Sequence, residues 1–265
     1  VGVQWRLNED SQLYASYTKG FRSGGYDLRA VEKYAGVAYD EEEQTSYELG
    51  VKSTFKDGTV RFNGALFYNE IENLQRTRFF NDDTGTPVQL TANVADAVIS
   101  GAEMDLTALL SDSFLLTFSA GYLDARYDEV FNSFDPVLSL AEQGDLEIAR
   151  APEFTFSTAL NYDLPLGGFG VLSSRAAYSY RDSTFYDDRN NGKFPAYNMV
   201  DMNFTYEPNN GPWSVSLYGK NLLDEAVLGV LVSLPSVFYP GPDGGYLGGL
   251  GKGRRWGVEF TYNFE

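Results

Sequence analysis

From residue 45 to residue 56 the chain alternates with period two. Thr45, Tyr47, Leu49, Val51, Ser53 and Phe55 fall on one side; Ser46, Glu48, Gly50, Lys52, Thr54 and Lys56 fall on the other. An extended strand, whose successive side chains point to opposite faces, sorts residues in this way, giving one apolar and one polar face. Lys56-Asp57-Gly58-Thr59 follows, and Asp-Gly supplies the positive φ of a type I′ hairpin turn. The return strand sets Val60, Phe62, Leu66 and Tyr68 against Thr59, Arg61 and Asn63.

The alternation recurs along the chain. Phe114, Leu116, Phe118, Ala120 and Tyr122 oppose Thr117, Ser119 and Gly121; Phe154, Phe156, Leu160 and Tyr162 oppose Thr155, Ser157 and Asn161. Leu172, Ala176, Tyr178 and Tyr180 oppose Ser173, Arg175 and Ser179, and Val200, Met202, Phe204 and Tyr206 oppose Asp201, Asn203 and Thr205. Near the end, Trp256, Val258, Phe260, Tyr262 and Phe264 oppose Gly257, Glu259 and Thr261. The pattern predicts about 11 strands, near 1–7, 12–21, 45–56, 59–80, 87–110, 113–128, 151–164, 170–184, 196–207, 212–223 and 253–264. With 19 Tyr, 19 Phe and 27 Gly, composition agrees with an all-β chain.

Connections alternate in length. Short ones fall at 8–11, 57–58, 111–112, 165–169 and 208–211, and long ones at 22–44, 129–150, 185–195 and 224–252, with a shorter member near 81–86. Brief turns at one end and long loops at the other are the habit of transmembrane barrels. A soluble β-sandwich would use the apolar face as core; a barrel would present it to lipid and line its interior with the polar face. Three details favour the barrel. Strands often exceed the modal length and approach the roughly 9–11 residues that cross a bilayer at a tilt. Apolar faces often end in Tyr or Trp, as interfacial girdles do. The polar set contains Glu48, Lys52, Arg61, Glu103, Asp105, Arg175, Asp201 and Glu259, which suit a wet lumen.

Residue types that are missing narrow the chemistry. With no His there is no Ser-His-Asp triad and no usual haem or copper ligand, and with no Cys no thiolate metal site. A barrel lipase or protease is disfavoured for the same reason. The net charge of −17 argues against nucleic acid as a partner. Glu41-Glu42-Glu43, Asp82-Asp83 and Asp187-Asp188 could offer oxygens to calcium, yet none has the spacing of a known calcium loop, and solvated acidic loops explain them better. The glycine-rich stretch from Gly244 to Gly253 fails the phosphate-loop pattern, and no catalytic residue, cofactor or resident metal is expected.

Four stretches resemble the barrels of TonB-dependent outer-membrane receptors. They are Leu13-Tyr14-Ala15-Ser16-Tyr17-Thr18-Lys19-Gly20-Phe21-Arg22-Ser23-Gly24-Gly25-Tyr26, then Glu43-Gln44-Thr45-Ser46-Tyr47-Glu48-Leu49-Gly50-Val51-Lys52, then Gly219-Lys220-Asn221-Leu222-Leu223-Asp224, and finally Gly253-Arg254-Arg255-Trp256 running to Tyr262-Asn263-Phe264. They occur in the family's order over essentially the whole chain. Leu223 stands where the family has an aromatic, and Glu265 follows the aromatic that is usually last.

The resemblance implies a fold: an antiparallel transmembrane β-barrel of about 22 strands with a plugged lumen, of which residues 1–265 would be the second half. The N-terminal plug, the TonB-contact segment and the first barrel half would then lie outside this sequence. It also implies a function: a receptor in the outer membrane of a Gram-negative bacterium, importing a scarce nutrient, most often a ferric siderophore, with energy from TonB. Further implied partners are outer-membrane lipid and lipopolysaccharide, and the barrel-assembly machinery, which would read Tyr262 and Phe264. Arg22, Tyr26, Arg29, Tyr34, Arg181, Tyr186 and Arg189 lie where strands enter the long loops. There they could hold an anionic, catechol-like or glycan ligand, or serve as girdle aromatics and partners of lipopolysaccharide phosphates or nearby acids. A passive porin or adhesin barrel and a soluble β-sandwich binding module are the alternatives.

Overall fold

The computed structural model describes residues 1–27, 36–81, 87–134, 138–234 and 245–264. In chain order the first strands are β1 (Gly2–Arg6), β2 (Ser11–Arg22), β3 (Gly25–Tyr26), β4 (Ala38–Tyr39), β5 (Glu42–Phe55) and β6 (Val60–Asn81). Then come β7 (Pro87–Ser111), β8 (Phe114–Val130), the short helix α1 (Leu140–Gly144), β9 (Phe154–Pro165) and β10 (Val171–Arg181). The rest are β11 (Thr184–Phe185), β12 (Lys193–Phe194), β13 (Tyr197–Glu207), β14 (Trp213–Lys220), β15 (Leu228–Leu234), β16 (Gly245–Leu250) and β17 (Arg255–Tyr262).

Eleven of these form one antiparallel sheet in the order β1-β2-β5-β6-β7-β8-β9-β10-β13-β14-β17. This is a single continuous wall, not the two facing sheets that a sandwich requires. The long connections are not plain loops. They hold three two-stranded hairpins, β3–β4, β11–β12 and β15–β16, and the helix α1. The strand expected at 170–184 ends at Arg181, since Thr184 and Phe185 pair instead with Phe194 and Lys193. The strand expected to 223 ends at Lys220, because Asn221 turns left-handed at φ 52.

Register keeps the two faces separate across the whole wall. Glu48 pairs with Ser16 and Phe67, Glu103 with Ala65 and Gly121, Arg175 with Asn161 and Asn203, and Ser216 with Thr205 and Glu259. A one-residue slip anywhere would exchange the faces. On the polar side neighbouring strands are linked by Tyr14 Oη donating to Glu48 at 2.5 Å, Ser119 Oγ to Asp105 at 2.6 Å, and Arg175 to Asn161 at 2.9 Å. On the other side Leu49, Leu66, Phe204 and Val258 are 41–70% exposed, a continuous apolar surface that lipid, not water, accommodates.

Aromatic rows mark the edges of that surface. Tyr17, Tyr47 and Tyr68 stand side by side on three strands, with ring centroids 5.4 and 6.5 Å apart. At the opposite edge Phe114 stacks on Tyr162 at 4.2 Å, and Trp213 packs on Tyr206 and Phe260. Tyr47 and Phe55, Phe114 and Tyr122, and Phe154 and Tyr162 each bracket eight residue steps, about 27 Å of strand at about 3.4 Å per residue. With the usual tilt this matches an apolar band of about 25 Å or slightly less. Between Lys56 and Thr59 the turn is as the Asp-Gly pair predicts: Asp57 and Gly58 take φ 54 and 91, and Thr59 N donates to Lys56 O at 3.1 Å.

β6 and β7 continue well past the tyrosine row as a tall ribbon, bent by register shifts after Ile71 and by left-handed Asn73. At its base lies a small apolar core of Leu74, Val94, Ala95, Ala97, Tyr127, Val130, Phe134 and Ile148. It is closed by the segment carrying α1, where buried Gln143 accepts from Phe134 N at 2.9 Å and donates to Leu138 O at 2.8 Å. This core belongs to the long-loop end.

Close backbone approach yields a test of the wall. A Cβ on Gly101 would sit 2.2 Å from Tyr122 O and 2.6 Å from the Phe67 ring, whereas one on Gly20 would meet nothing within 4 Å. Gly101→Ala is expected to cost about 1–3 kcal/mol. Gly20→Ala should be neutral or stabilising by up to about 1 kcal/mol. Urea unfolding in detergent or lipid, followed by Trp fluorescence, measures both.

Candidate functional site

The long-loop end carries the chemistry, and its elements converge on the polar side of the wall. The hairpin β11–β12 rises between β10 and β13, yet its Asp188 accepts from Arg76 Nε of β6 and from Tyr127 Oη of β8, both at 3.1 Å. Contacts from β10 back to β6 are possible only if the polar face is concave. This is therefore the inside of the wall.

At this mouth a cavity of about 200 Å³ is lined by Arg150, Arg181, Tyr197, Phe194 and the stretch Leu228–Leu231 of β15, with Asp182 and Pro195 completing it. Period two explains the wall's share. Arg181 and Tyr197 pair directly in the phase that faces inward, as does Thr155 beside them. Arg150 is presented differently. It takes a left-handed φ of 62, its N–H donates to Phe185 O at 2.9 Å, and its guanidinium lies 5.0 Å over the Tyr186 ring. Tyr186 in turn meets Phe194 and Tyr246 edge-on, each at 6.0 Å.

Electrostatics at the cavity run against the chain's overall sign. Among the described residues no carboxylate lies within 4.0 Å of Arg150 or Arg181, although six other cations are paired with acids. The Asp182 carboxylate that shares the lining accepts on Oδ1 from Ser183 N at 2.8 Å and Tyr180 Oη at 3.3 Å. Two guanidiniums beside aromatic rings and aliphatic side chains can take an anionic group by charge-assisted bonds and a planar one by stacking. Tyr246 and Tyr127, outside the apolar band, remain hydrogen-bond donors. Burial first, then the neighbouring Asp187 and Asp188 respectively, push their hydroxyls upward from the ordinary value.

Of the residues singled out in the sequence, Arg181 and Tyr186 come together here. Arg189 lies close enough to Tyr246 for its charge to act on that hydroxyl. Arg22 stands elsewhere and is engaged, donating to Glu42 Oε2 and to Gln75 O, both at 3.0 Å. Tyr26 is exposed on β3, and Arg29 and Tyr34 lie outside the described residues. Tyr262 closes β17 opposite Trp213, and Phe264 follows it in the open.

The acidic runs find partners in protein, and among the described residues no cluster of three or more acids is arranged to hold a metal ion. Glu42 and Glu43 point to opposite faces, toward Arg22 and Lys19. Asp187 and Asp188 accept from Tyr246, Tyr127 and Arg76. Asp82 and Asp83 lie outside the described residues. Sequence reading missed Arg150, Tyr197, Tyr246 and Gln75. For Arg150 the only signal was an isolated cation after the acidic stretch Glu142–Glu147.

Gln75 is the hidden joint of the first long connection. Only 5% exposed, it donates from its N–H to Glu42 Oε2 at 2.7 Å and from its carboxamide to Asp40 O at 2.9 Å and Ser23 O at 3.2 Å. Gln75→Ala would take this donor from Ser23 O, while Asp40 O keeps Asn93 Nδ2 at 3.0 Å, at a cost of about 1–3 kcal/mol. Hydrogen exchange should then quicken at Gly25–Tyr26 and Ala38–Tyr39 and stay unchanged in β9 and β10.

Comparison with known proteins places this architecture. The family described as TonB dependent receptor-like, beta-barrel matches residues 1–222. The metal-pseudopaline receptor CntO of Pseudomonas aeruginosa is 26% identical over 205 residues, covering 76% of this chain and 26% of that protein. The ferrioxamine B receptor of Salmonella typhimurium is 26% identical over 197 residues, covering 73% and 26%. Among solved structures, the ferric yersiniabactin uptake receptor FyuA from Yersinia pestis superposes with a TM-score of 0.78 at 17% identity, over 100% of this chain and 37% of that one. The siderophore receptor PiuA from Acinetobacter baumannii gives 0.69 at 20% identity, over 98% and 34%. The chain thus spans about a quarter of the length of these curated relatives.

Proposed function

Because the chain belongs to the TonB-dependent receptor β-barrel family, a family of outer-membrane transport receptors and not of enzymes, we propose that it is the barrel portion of a receptor that captures a ferric siderophore outside the cell and imports it with energy from TonB. The observation that carries this reading is the cavity at the mouth. Arg150 and Arg181, without acidic partners in a chain of net charge −17, face inward beside Tyr186, Tyr197 and Phe194. Ferric complexes of deprotonated chelators often carry negative charge on planar or apolar arms, and this lining complements both properties.

The polar inner wall would continue the path inward, and the plug, against which TonB pulls, would be supplied by sequence outside these residues. Strand parity supports that part of the reading. Eleven antiparallel strands leave β1 and β17 running in the same direction, so an all-antiparallel closure takes an odd number of further strands. Another eleven would make the family's roughly 22. Lipopolysaccharide would surround the outer tyrosine row, and Tyr262 and Phe264 on the exposed last strand are available to the assembly machinery. A passive porin is the second reading, favoured by the polar side chains of the inner face, Glu48, Glu103 and Arg175 among them.

Uptake of radiolabelled ferric catecholate, ferric hydroxamate and ferric carboxylate complexes, each offered to cells deprived of their other ferric-siderophore receptors, tests the reading. Import of one class should stop when the inner-membrane proton gradient is dissipated; import that continues would leave a passive pore. Removing either guanidinium, by Arg150→Ala or Arg181→Ala, should weaken surface binding of that complex about tenfold or more, the loss of one charge-assisted bond. Unaltered binding in both variants would move the ligand site away from this cavity.

A further inference from the structure

We infer that Asp187 and Asp188 are positioning residues that make the hairpin β11–β12 a strap, fastening β15–β16, which lines the cavity, to the distant wall strands β6 and β8. The inference takes the cavity as the ligand site for its consequence, but it stands on the strap's own geometry. The two neighbouring carboxylates reach in different directions. Asp187 Oδ2 accepts from Tyr246 Oη of β16 at 2.7 Å, while Asp188 Oδ1 accepts from Arg76 Nε and Tyr127 Oη.

The body of the strap is made stiff by its own bonds. Tyr186 N donates to Gly192 O at 2.7 Å, and Asn190 N to Asp187 O at 3.1 Å with Asn190 left-handed at φ 55. Asn190 also exchanges two bonds with Glu147: Glu147 N donates to Asn190 Oδ1 at 2.8 Å, and Asn190 Nδ2 to Glu147 O at 2.9 Å. The strap therefore grips the segment carrying Arg150 as well. Among the described residues, no strand-to-strand pairing joins β15–β16 to the eleven-stranded wall. The hairpin's attachments are its stem, where Gly251 N donates to Val227 O and Asn221 Nδ2 to Lys252 O, and the Tyr246–Asp187 clasp beside the Tyr186 ring.

Three separately built parts of the lining, Arg150, Phe194 and Leu228–Leu231, then move as one body. A ligand that draws in β15–β16 would pull on β6 and β8 through the strap, and a fixed strap would hold the aliphatic lip over the two guanidiniums. Cutting one clasp should uncouple one pair of elements and leave the other intact. General loosening would not produce that asymmetry.

These residues contain no Cys, so spin labels can be introduced in pairs into the whole receptor in detergent, with any Cys elsewhere in the receptor replaced by Ser, at the exposed positions Asn191 in the strap, Leu247 in β16 and Thr77 in β6. Distances measured by pulsed electron resonance need no ligand, so a failure of the transport reading would not affect them. With both clasps intact all three pairs should give single narrow distributions. Tyr246→Phe, which removes one hydroxyl and keeps the ring, should broaden 191–247 and 77–247 while 77–191 stays narrow. Asp188→Ala combined with Asn190→Gly, which also frees the strap from Glu147 and so from Arg126 of β8, should broaden 77–191 and 77–247 while 191–247 stays narrow. A 77–247 distribution that either variant leaves narrow would overturn the coupling. Equal broadening of all three pairs in Tyr246→Phe would overturn it too, by showing only general loosening.

Discussion

A strand in hydrocarbon has no water to satisfy its N–H and C=O groups, and the rest of the structure follows from that constraint. Ladders that join every neighbouring pair of strands from β1 to β17 answer it. Once every strand is bound to its neighbours, each residue has only two directions to point. The alternation that sends Leu49, Leu66 and Val258 to lipid therefore necessarily sends Glu48, Glu103 and Glu259 to the interior. Charge can then accumulate inside the wall without a folded core to bury it.

This local rule explains why the wall was legible in the sequence. Period two is a property of adjacent residues, and all eleven strands lie within a few residues of where the alternation puts them. Asp57-Gly58 turns as its φ preferences demand. The misreadings occurred where local pattern gives way to a single backbone event. Left-handed Asn221 stops β14 three residues early. The strand that seemed to run to 184 breaks after Arg181 because Thr184 finds its partner in Phe194, ten residues on.

The mouth was mostly illegible, and the reason is sequence separation. Gln75 bonds to groups 33 to 53 residues away, Tyr246 to one 59 away, and Arg76 to one 112 away. Nothing in the neighbourhood of Gln75 or Tyr246 distinguishes it from other polar and aromatic residues of a β protein. Arg181 and Tyr186 could be singled out because they sit at a strand end, which periodicity does locate. Arg22 was singled out by the same logic, yet it holds Glu42 and Gln75 together. Position at a loop entrance does not separate the two; among the described residues Arg181 has no carboxylate within 4.0 Å whereas Arg22 has Glu42 at 3.0 Å, a fact of three dimensions.

That distinction also gives meaning to the chain's acidity. A uniformly acidic surface would repel an anion, but a long-range repulsion between exposed charges is screened beyond about 8–10 Å at physiological salt. At the rim of a cavity of about 200 Å³, exposed Arg150 and half-buried Arg181 act at contact distance, well inside that screening length. The acids nearest the mouth are meanwhile committed elsewhere: Asp182 to Ser183 and Tyr180, Asp187 to Tyr246, Asp188 to Arg76 and Tyr127. Among the described residues none of these carboxylates comes within 4.0 Å of Arg150 or Arg181, although Asp182 shares their cavity. The contacts that organise the rim thus also engage the carboxylates nearest its two cations, and on the proposed function the same set of hydrogen bonds would serve both stiffness and the capture of an anion.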